Sequence, residues 1–242
     1  MDYQIIEGLL DVESIDRVKE IMNRDDLPWQ GGGATVFRDN IRLDDEEVAN
    51  FKVNKQLDPF ADDDAQSEIG SIIFHATDNC FDWNNFVCPN NSKPPLITRT
   101  EEGGFYNTHH DASNVGHFST TVFLNEPYEY DGGELCLDLN GDIKLVKLPA
   151  GSCITYRTGI PHCVNPVTCG HRDVAVFWTS TWFPDPHEWR IYRGIKRAIH
   201  FLPKKIEHLP LDESRDDPYF ILLTIMHDME RKTFVRGKDD NS

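Results

Sequence analysis

The sequence has no CxxC pair. Its six cysteines, Cys80, Cys88, Cys136, Cys153, Cys163 and Cys169, lie scattered, which argues against a zinc finger and fits reduced thiols in a cytosolic protein. It has no long apolar run either. The most apolar stretch, YFILLTIM at 219–226, is far too short to span a bilayer. The opening MDYQIIEGLL lacks the basic start and extended apolar core of a signal peptide, so a cytoplasmic protein with no membrane partner is expected. Basic residues are scarce, 24 against 41 acidic ones for a net charge of −17. No nucleic-acid partner is expected, because phosphate backbones need compensating Lys and Arg. Internal repeats and low-complexity segments are also absent.

What is present is enough for one well-filled core: 242 residues, 39% of them hydrophobic and 11% aromatic. A single domain over 1–242 is expected, as a monomer or a homodimer. Residues 1–95 read as helical and strand support, 96–184 as a β core and 185–242 as C-terminal helices. DVESIDRVKEIM has Asp11 as a candidate N-cap and sets Ile15, Val18, Ile21 and Met22 on one helical stripe. DDEEVANFKVNKQL (44–57) crowds acids into a first turn, where they complement a helix dipole, and DAQSEIGSIIFHATD reads as a further helix weakened by Gly70. From about residue 96 the texture changes to short β-rich runs such as LITRT, STTVFLN, GELCLDL and DVAVFWTSTWF. Asn140-Gly141 between two alternating runs is a strong hairpin signal. Many short strands at close spacing suggest a sandwich or jelly roll. HEWRIYRGIKRAIHFL and DDPYFILLTIMHDMERKTF return to helical spacing.

By itself YNTHHDAS (106–113) admits a metal site, an acid–base pair or a polar turn. On an extended backbone side chains i and i+2 share a face, so His109 and Asp111 converge while His110 points away. His162, in TGIPHCVNPV about fifty residues downstream, supplies a third candidate ligand. Two histidines and one carboxylate form a facial triad that leaves open positions on Fe(II) for a bidentate co-substrate and dioxygen. Arg172 follows ten residues after His162, and a guanidinium clamps a carboxylate bidentately at any working pH. His117 and His171 read as surface or packing histidines. Arg190, Arg193, Lys196 and Arg197 read as the solvated face of the late helix.

The ordered set HxD, strands, His, ten residues, Arg resembles the Fe(II)/2-oxoglutarate-dependent dioxygenases of the prolyl-4-hydroxylase-like group, closest to the PKHD-type hydroxylases. The stretches that carry the resemblance are GGFYNTHHD, STTVFLNEPYEYDGGEL, KLPAGSCITY, PHCVNPVTCGHR and VFW. It covers roughly residues 5 to 200. The resemblance implies a mainly β fold: a double-stranded β-helix (jelly-roll) core with flanking α-helices at the N- and C-terminal ends. It implies that His109, Asp111 and His162 hold Fe(II) and that Arg172 meets the distal carboxylate of 2-oxoglutarate, with Tyr156 lining the co-substrate pocket. Trp178 matches a family tryptophan expected to pack. The cofactors implied are Fe(II), 2-oxoglutarate as co-substrate, O2, and ascorbate as reductant.

The implied reaction is hydroxylation of an unactivated C–H bond with release of succinate and CO2. The expected partner is a peptidyl-proline or a small-molecule substrate. A hydroxylase of a free amino acid or metabolite is the alternative within enzymes, and a non-catalytic metal-binding jelly-roll sensor the alternative outside them. Two positions depart from the family pattern: Thr100 stands where relatives often have tyrosine, and Arg157 replaces a small residue or proline. Loops at 77–95 and 112–118 are the expected seat of substrate choice.

Overall fold

The alternating runs that begin near residue 96 become two antiparallel sheets packed face to face. The computed structural model describes every residue except 1, 36, 39–40, 43–44, 58–63, 113, 203–216 and 240–242. The chain opens with β1 (Tyr3–Ile6), α1 (Val12–Met22), β2 (Trp29–Gly31), a 3-10 turn (Gly32–Thr35), β3 (Phe37–Arg38) and β4 (Ile41–Arg42). It continues through α2 (Asp45–Ala49), β5 (Lys52–Val53), β6 (Lys55–Leu57), α3 (Asp64–Asn79), α4 (Phe81–Val87) and β7 (Pro89–Ser92). The strand-rich part holds β8 (Leu96–Glu101), β9 (Phe105–His109), β10 (Phe118–Phe123), β11 (Tyr130–Gly132), β12 (Leu135–Leu139) and β13 (Asp142–Val146). Then come β14 (Cys153–Arg157), β15 (His162–Val164), β16 (Val167–Thr181), α5 (Pro186–Phe201) and α6 (Pro218–Asp239).

Among the described residues the larger sheet runs β1-β14-β10-β16-β8-β6-β2, with β7 and β11 also paired to β16. The smaller sheet runs β13-β12-β15-β9-β5. The fold is thus the expected mainly β jelly roll, with helices before and after its core. Strands from the first ninety residues nevertheless complete both sheets. Among the described residues no helix is long and apolar enough to cross a membrane.

Period-two alternation sorts the side chains of the larger sheet. On β14, Cys153 belongs to a core under the helices, whereas Ile154 and Tyr156 belong to a second core between the sheets. The outer core joins Val18, Ile21 and Met22 of α1 to Ile69 and Ile73 of α3, to Trp83 and Phe86 of α4, and to Phe177 of β16. The inner core contains Phe123, Leu135, Leu137, Val146, Ile154 and Val174. Each large side chain removed from water in this way contributes about 1.5–3 kcal/mol.

Local signals act as their chemistry dictates. Asp11 accepts from Ser14 N at 2.8 Å and starts α1. Asn140 and Gly141, both at positive φ (60° and 93°), close the β12–β13 hairpin with Leu139 opposite Asp142. Of the basic residues of α5, Arg190 and Arg197 are exposed as expected, whereas Arg193 and Lys196 are half-buried. Arg193 and Lys196 donate to the carbonyls of Asn85 and Asn84, and Arg197 meets Asp82 at 3.5 Å.

Two expectations are corrected. The acid-rich segment 44–57 is helical only over Asp45–Ala49 and is extended from Lys52, where β5 pairs with β9 and β6 with β8. Burial there has a period of two, with Lys52 and Gln56 buried and Val53 and Lys55 exposed, so strand pairing overrides the helix-start signal. Residues 77–95 are not a loop at the barrel mouth. They form the end of α3, then α4 and β7, and Trp83 and Phe86 lie in the outer core.

Candidate active site

His109 closes β9 and His162 opens β15, and the two are directly paired across the smaller sheet. Their ring centroids are 4.2 Å apart. Asp111 lies two residues past His109, beyond the strand end, and its Oδ1 stands 3.8 Å from His162 Nε2. One donor atom from each of His109, Asp111 and His162 lies within 4.8 Å of the others, a spacing that a single ion can bridge. His110, between them, is exposed.

A bulge in β9 shapes one wall. On β15, residues 162 and 164 oppose 109 and 106 on β9, so two steps face three. Tyr106 and His109, three apart in sequence, therefore share a face and stack with centroids 3.6 Å apart.

The hydrogen bonds around the three side chains leave the right lone pairs free. His109 Nδ1 is 2.8 Å from the Asn107 carbonyl, and His162 Nδ1 is 2.9 Å from that of Ile160. A carbonyl only accepts, so each Nδ1 carries the proton and each Nε2 presents its lone pair. Burial, and then the neighbouring His162, push the His109 pKa down to about 4, which keeps its imidazole neutral and able to ligate. Ser119 donates its hydroxyl to Asp111 Oδ2 at 2.6 Å, leaving Oδ1 toward His162. An N2O donor set with one open face suits Fe(II).

The larger sheet provides the opposite wall. Ser119 on β10 is in register with Tyr156 on β14 and Trp178 on β16. Tyr156 is 1% exposed, and its ring lies edge-on to His162 at 5.4 Å. Burial raises its phenol pKa, the Asp111 carboxylate raises it further, and the Arg172 guanidinium acts the other way. Arg172, opposite Thr100 on β8, is 3% exposed. Its guanidinium sits 5.4 Å from the Phe123 ring, and its Nε has no hydrogen-bond partner. Gly133, at φ 66°, lets it pass: a Cβ there would lie 3.2 Å from Arg172 Cδ.

Other cations are engaged elsewhere. Arg99 makes a two-pronged pair with Asp173 at 2.8 and 2.7 Å. Arg157 lies over Phe118 and Trp189, 4.4 Å from each ring. Sequence reasoning missed Ser119, which donates to Asp111, and Tyr106, which stacks on His109. A faint signal existed for Ser119 and Tyr156: both fall on the inward phase of their strands.

Comparison with known proteins agrees with this geometry. Residues 95–180 match the sequence model of the 2OG-Fe(II) oxygenase superfamily. A PKHD-type hydroxylase of Gluconacetobacter diazotrophicus is 32% identical over 204 residues, covering 80% of this chain and 85% of that protein. One from Rhizorhabdus wittichii is 30% identical over 238 residues, covering 94% and 96%. Among solved structures, a prolyl-4-hydroxylase of Pseudomonas putida has a TM-score of 0.53 at 17% identity, covering 74% of this chain and 92% of its own. A Trichoplax adhaerens prolyl hydroxylase, solved with a peptide fragment of the hypoxia inducible factor oxygen degradation domain, gives 0.56 at 16% identity, covering 74% and 83%. These structures share the fold, and the family's chemistry brings Fe(II), 2-oxoglutarate and O2. Over nearly its whole length, then, this chain belongs to the PKHD-type hydroxylases of the 2OG-Fe(II) oxygenase superfamily.

Proposed function

We propose that this hydroxylase inserts oxygen into an unactivated C–H bond of a peptidyl or small-molecule substrate and releases succinate and CO2. In this reading His109, Asp111 and His162 hold the iron, and Arg172 and Tyr156 hold 2-oxoglutarate. The observation that carries it is Arg172: a buried guanidinium whose Nε has no hydrogen-bond partner and which makes no ion pair with a carboxylate among the described residues, on the larger sheet across from the strands that carry the three converging side chains. Burying an unpaired charge costs several kcal/mol. A dicarboxylate co-substrate repays that cost, whereas a sensor that only held metal would have no use for it.

When bound, Fe(II) with 2-oxoglutarate and O2 supplies the oxidising chemistry, and ascorbate serves as accessory reductant. The chain supplies placement. His109 and His162 present Nε2 because their Nδ1 protons are committed to backbone carbonyls. Ser119 holds one Asp111 oxygen and leaves the other as a single donor. Arg172 fixes the far carboxylate by a paired, charge-assisted contact, and Phe123 and Tyr156 keep water from the space between. The whole chain acts as one domain, since strands from 1–95 close the sheets around the 96–184 core and the helices of 185–242 cover the outer face.

The test is to load the purified protein with Mn(II) and measure 2-oxoglutarate binding, then restore Fe(II) and follow succinate formation. One metal per chain, metal-dependent 2-oxoglutarate binding and succinate production are expected. Metal binding without any affinity for 2-oxoglutarate would overturn the assignment in favour of a sensor.

A further inference from the structure

Strands β5 and β6 form one continuous extended segment that crosses from the smaller sheet to the larger. Lys52 pairs with Tyr106 on β9, and Gln56 pairs with Thr98 on β8. The segment bridges the two sheets beside Tyr106, whose ring stacks on His109. Its inward positions are Lys52, Asn54 and Gln56, spaced by two. All three are polar, and Asn54 and Gln56 each carry a buried atom with no hydrogen-bond partner.

Lys52 is 5% exposed and Gln56 is 0% exposed. Lys52 Nζ donates to Thr35 Oγ1 at 2.9 Å and lies 4.7 Å from the centre of the Tyr106 ring, the same ring that stacks on His109. Among the described residues no carboxylate forms an ion pair with it. Gln56 Oε1 accepts from Thr35 at 3.1 Å, but its Nε2 has no partner, and Asn54 Oδ1 has none either. Gly32 lets the turn lie against this wall: a Cβ there would fall 1.7 Å from Asn54 Oδ1 and 2.9 Å from Lys52 Cε. Native interiors rarely leave one such group unpaired. Here a cation, an amide donor and an amide acceptor occur together within five residues, beside the metal ligands.

The geometry points to Lys52, Asn54 and Gln56 as the substrate-recognition wall of this hydroxylase, built for a substrate that carries a carboxylate with an N–H or O–H group beside it. Lys52 Nζ and Gln56 Nε2 donate to the carboxylate, and Asn54 Oδ1 accepts from the neighbouring donor. The Asp111 carboxylate is the nearby charge that favours the Lys52 ammonium, but it makes no ion pair with it: one of its oxygens accepts from Ser119 and the other is turned toward His162. A free amino acid and an acidic side chain in a peptide both offer this chemistry. A peptidyl proline offers no anion and would leave the Lys52 charge buried and unpaired. The inference rests on the proposed function and selects a substrate class within it.

The test uses full-length protein loaded with Mn(II) and 2-oxoglutarate, so that nothing turns over. The twenty free amino acids, their carboxamides, and short capped peptides with or without an acidic residue are titrated against it, with binding read by calorimetry. At least one carboxylate probe should bind at least tenfold more tightly than its amide, and the free and capped arms identify the source of the carboxylate. Lys52→Met should erase that preference while leaving Mn(II) and 2-oxoglutarate affinities at wild-type values. Its melting temperature should not fall, because an unpaired buried charge has been removed. Lys52→Arg should restore part of the preference. The inference is overturned if no carboxylate is preferred over its amide, if the preference survives Lys52→Met, or if Lys52→Met weakens 2-oxoglutarate itself. A wild-type protein that binds no metal or no 2-oxoglutarate would instead sink the underlying function.

Discussion

Arg172 and Asp173 are adjacent on β16 and equally buried, yet they live in opposite electrostatic worlds. Asp173 points to the outer face, where both carboxylate oxygens meet Arg99 at 2.8 and 2.7 Å and His171 approaches at 3.5 Å. Arg172 points inward, where its Nε has no partner and burial lowers its pKa. The outer charge is satisfied by the fold itself. The inner one has no carboxylate paired to it among the described residues, and neither has Lys52, whose Nζ donates to Thr35. On the proposed reading, one strand carries a charge paired within the fold beside one kept for a ligand, so the two should respond oppositely to mutation.

The largest contrast lies on the inner side. His109→Ala, Asp111→Ala and His162→Ala should each abolish succinate formation and weaken Mn(II) binding strongly, while melting temperatures stay near wild type. Loss of activity in His110→Ala with activity retained in His109→Ala would place the strand one residue out of register. Next, Arg172→Ala should raise the 2-oxoglutarate dissociation constant by about two orders of magnitude or more, since breaking a buried pair costs on the order of 3–5 kcal/mol and about 1.4 kcal/mol is a factor of ten. Metal affinity should hardly move, and Arg172→Lys should fall between. Arg172→Met should unfold at least as cooperatively as wild type in the absence of 2-oxoglutarate. A clear loss of stability there would show that the guanidinium is structural after all.

The outer pair should behave in the reverse sense. Asp173→Asn should cost roughly 3 kcal/mol in urea unfolding while the surviving folded protein keeps its 2-oxoglutarate affinity. The Asp173 pKa is lowered in spite of burial, by its hydrogen bonds to Arg99 and His171. Its contribution is therefore present above the unfolded carboxyl pKa of about 3.9 and is lost as pH falls through the lower folded value. The stability gap between wild type and Asp173→Asn should narrow on acidification, and a gap that instead widened toward low pH would reverse the sign of this pair. Ser119→Ala sits between the two regimes, because it removes a hydrogen bond to a ligand without touching a charge. It should weaken Mn(II) about 10–100-fold and leave 2-oxoglutarate affinity in the metal-saturated protein nearly unchanged.

The smallest effect belongs to His171, whose pKa Asp173 raises. A raised folded value means that its contribution is present below about pH 6.5 and is lost as pH rises through the folded value. Because the ring is about half exposed, solvent screening limits this to a few tenths of a kcal/mol. His171→Ala should be slightly destabilised near about pH 5.5 and indistinguishable from wild type near about pH 8.5; a difference that persists at the higher pH would assign it to packing.

The sequence by itself determined the elements whose signal is local. Asp11 caps α1, Asn140-Gly141 closes a hairpin, and strand runs announce a jelly roll, because turn and cap chemistry acts over a few residues. It also determined the identities of the candidate ligands, since His109-x-Asp111 needs only two-residue periodicity to converge. Tertiary structure decided what depends on pairing partners far away in the chain. Whether 52–57 is helix or strand was settled by β8 and β9, not by the acids at 44–47 that precede it. The bulge that turns Tyr106 onto His109 exists only against β15, and Ser119 reaches Asp111 only because β10 lies between β14 and β16. Which of two neighbouring charges on β16 is paired was likewise set by the partners that each face meets. Periodicity assigns a residue to a face, but only the packed molecule determines whether a counter-charge waits there.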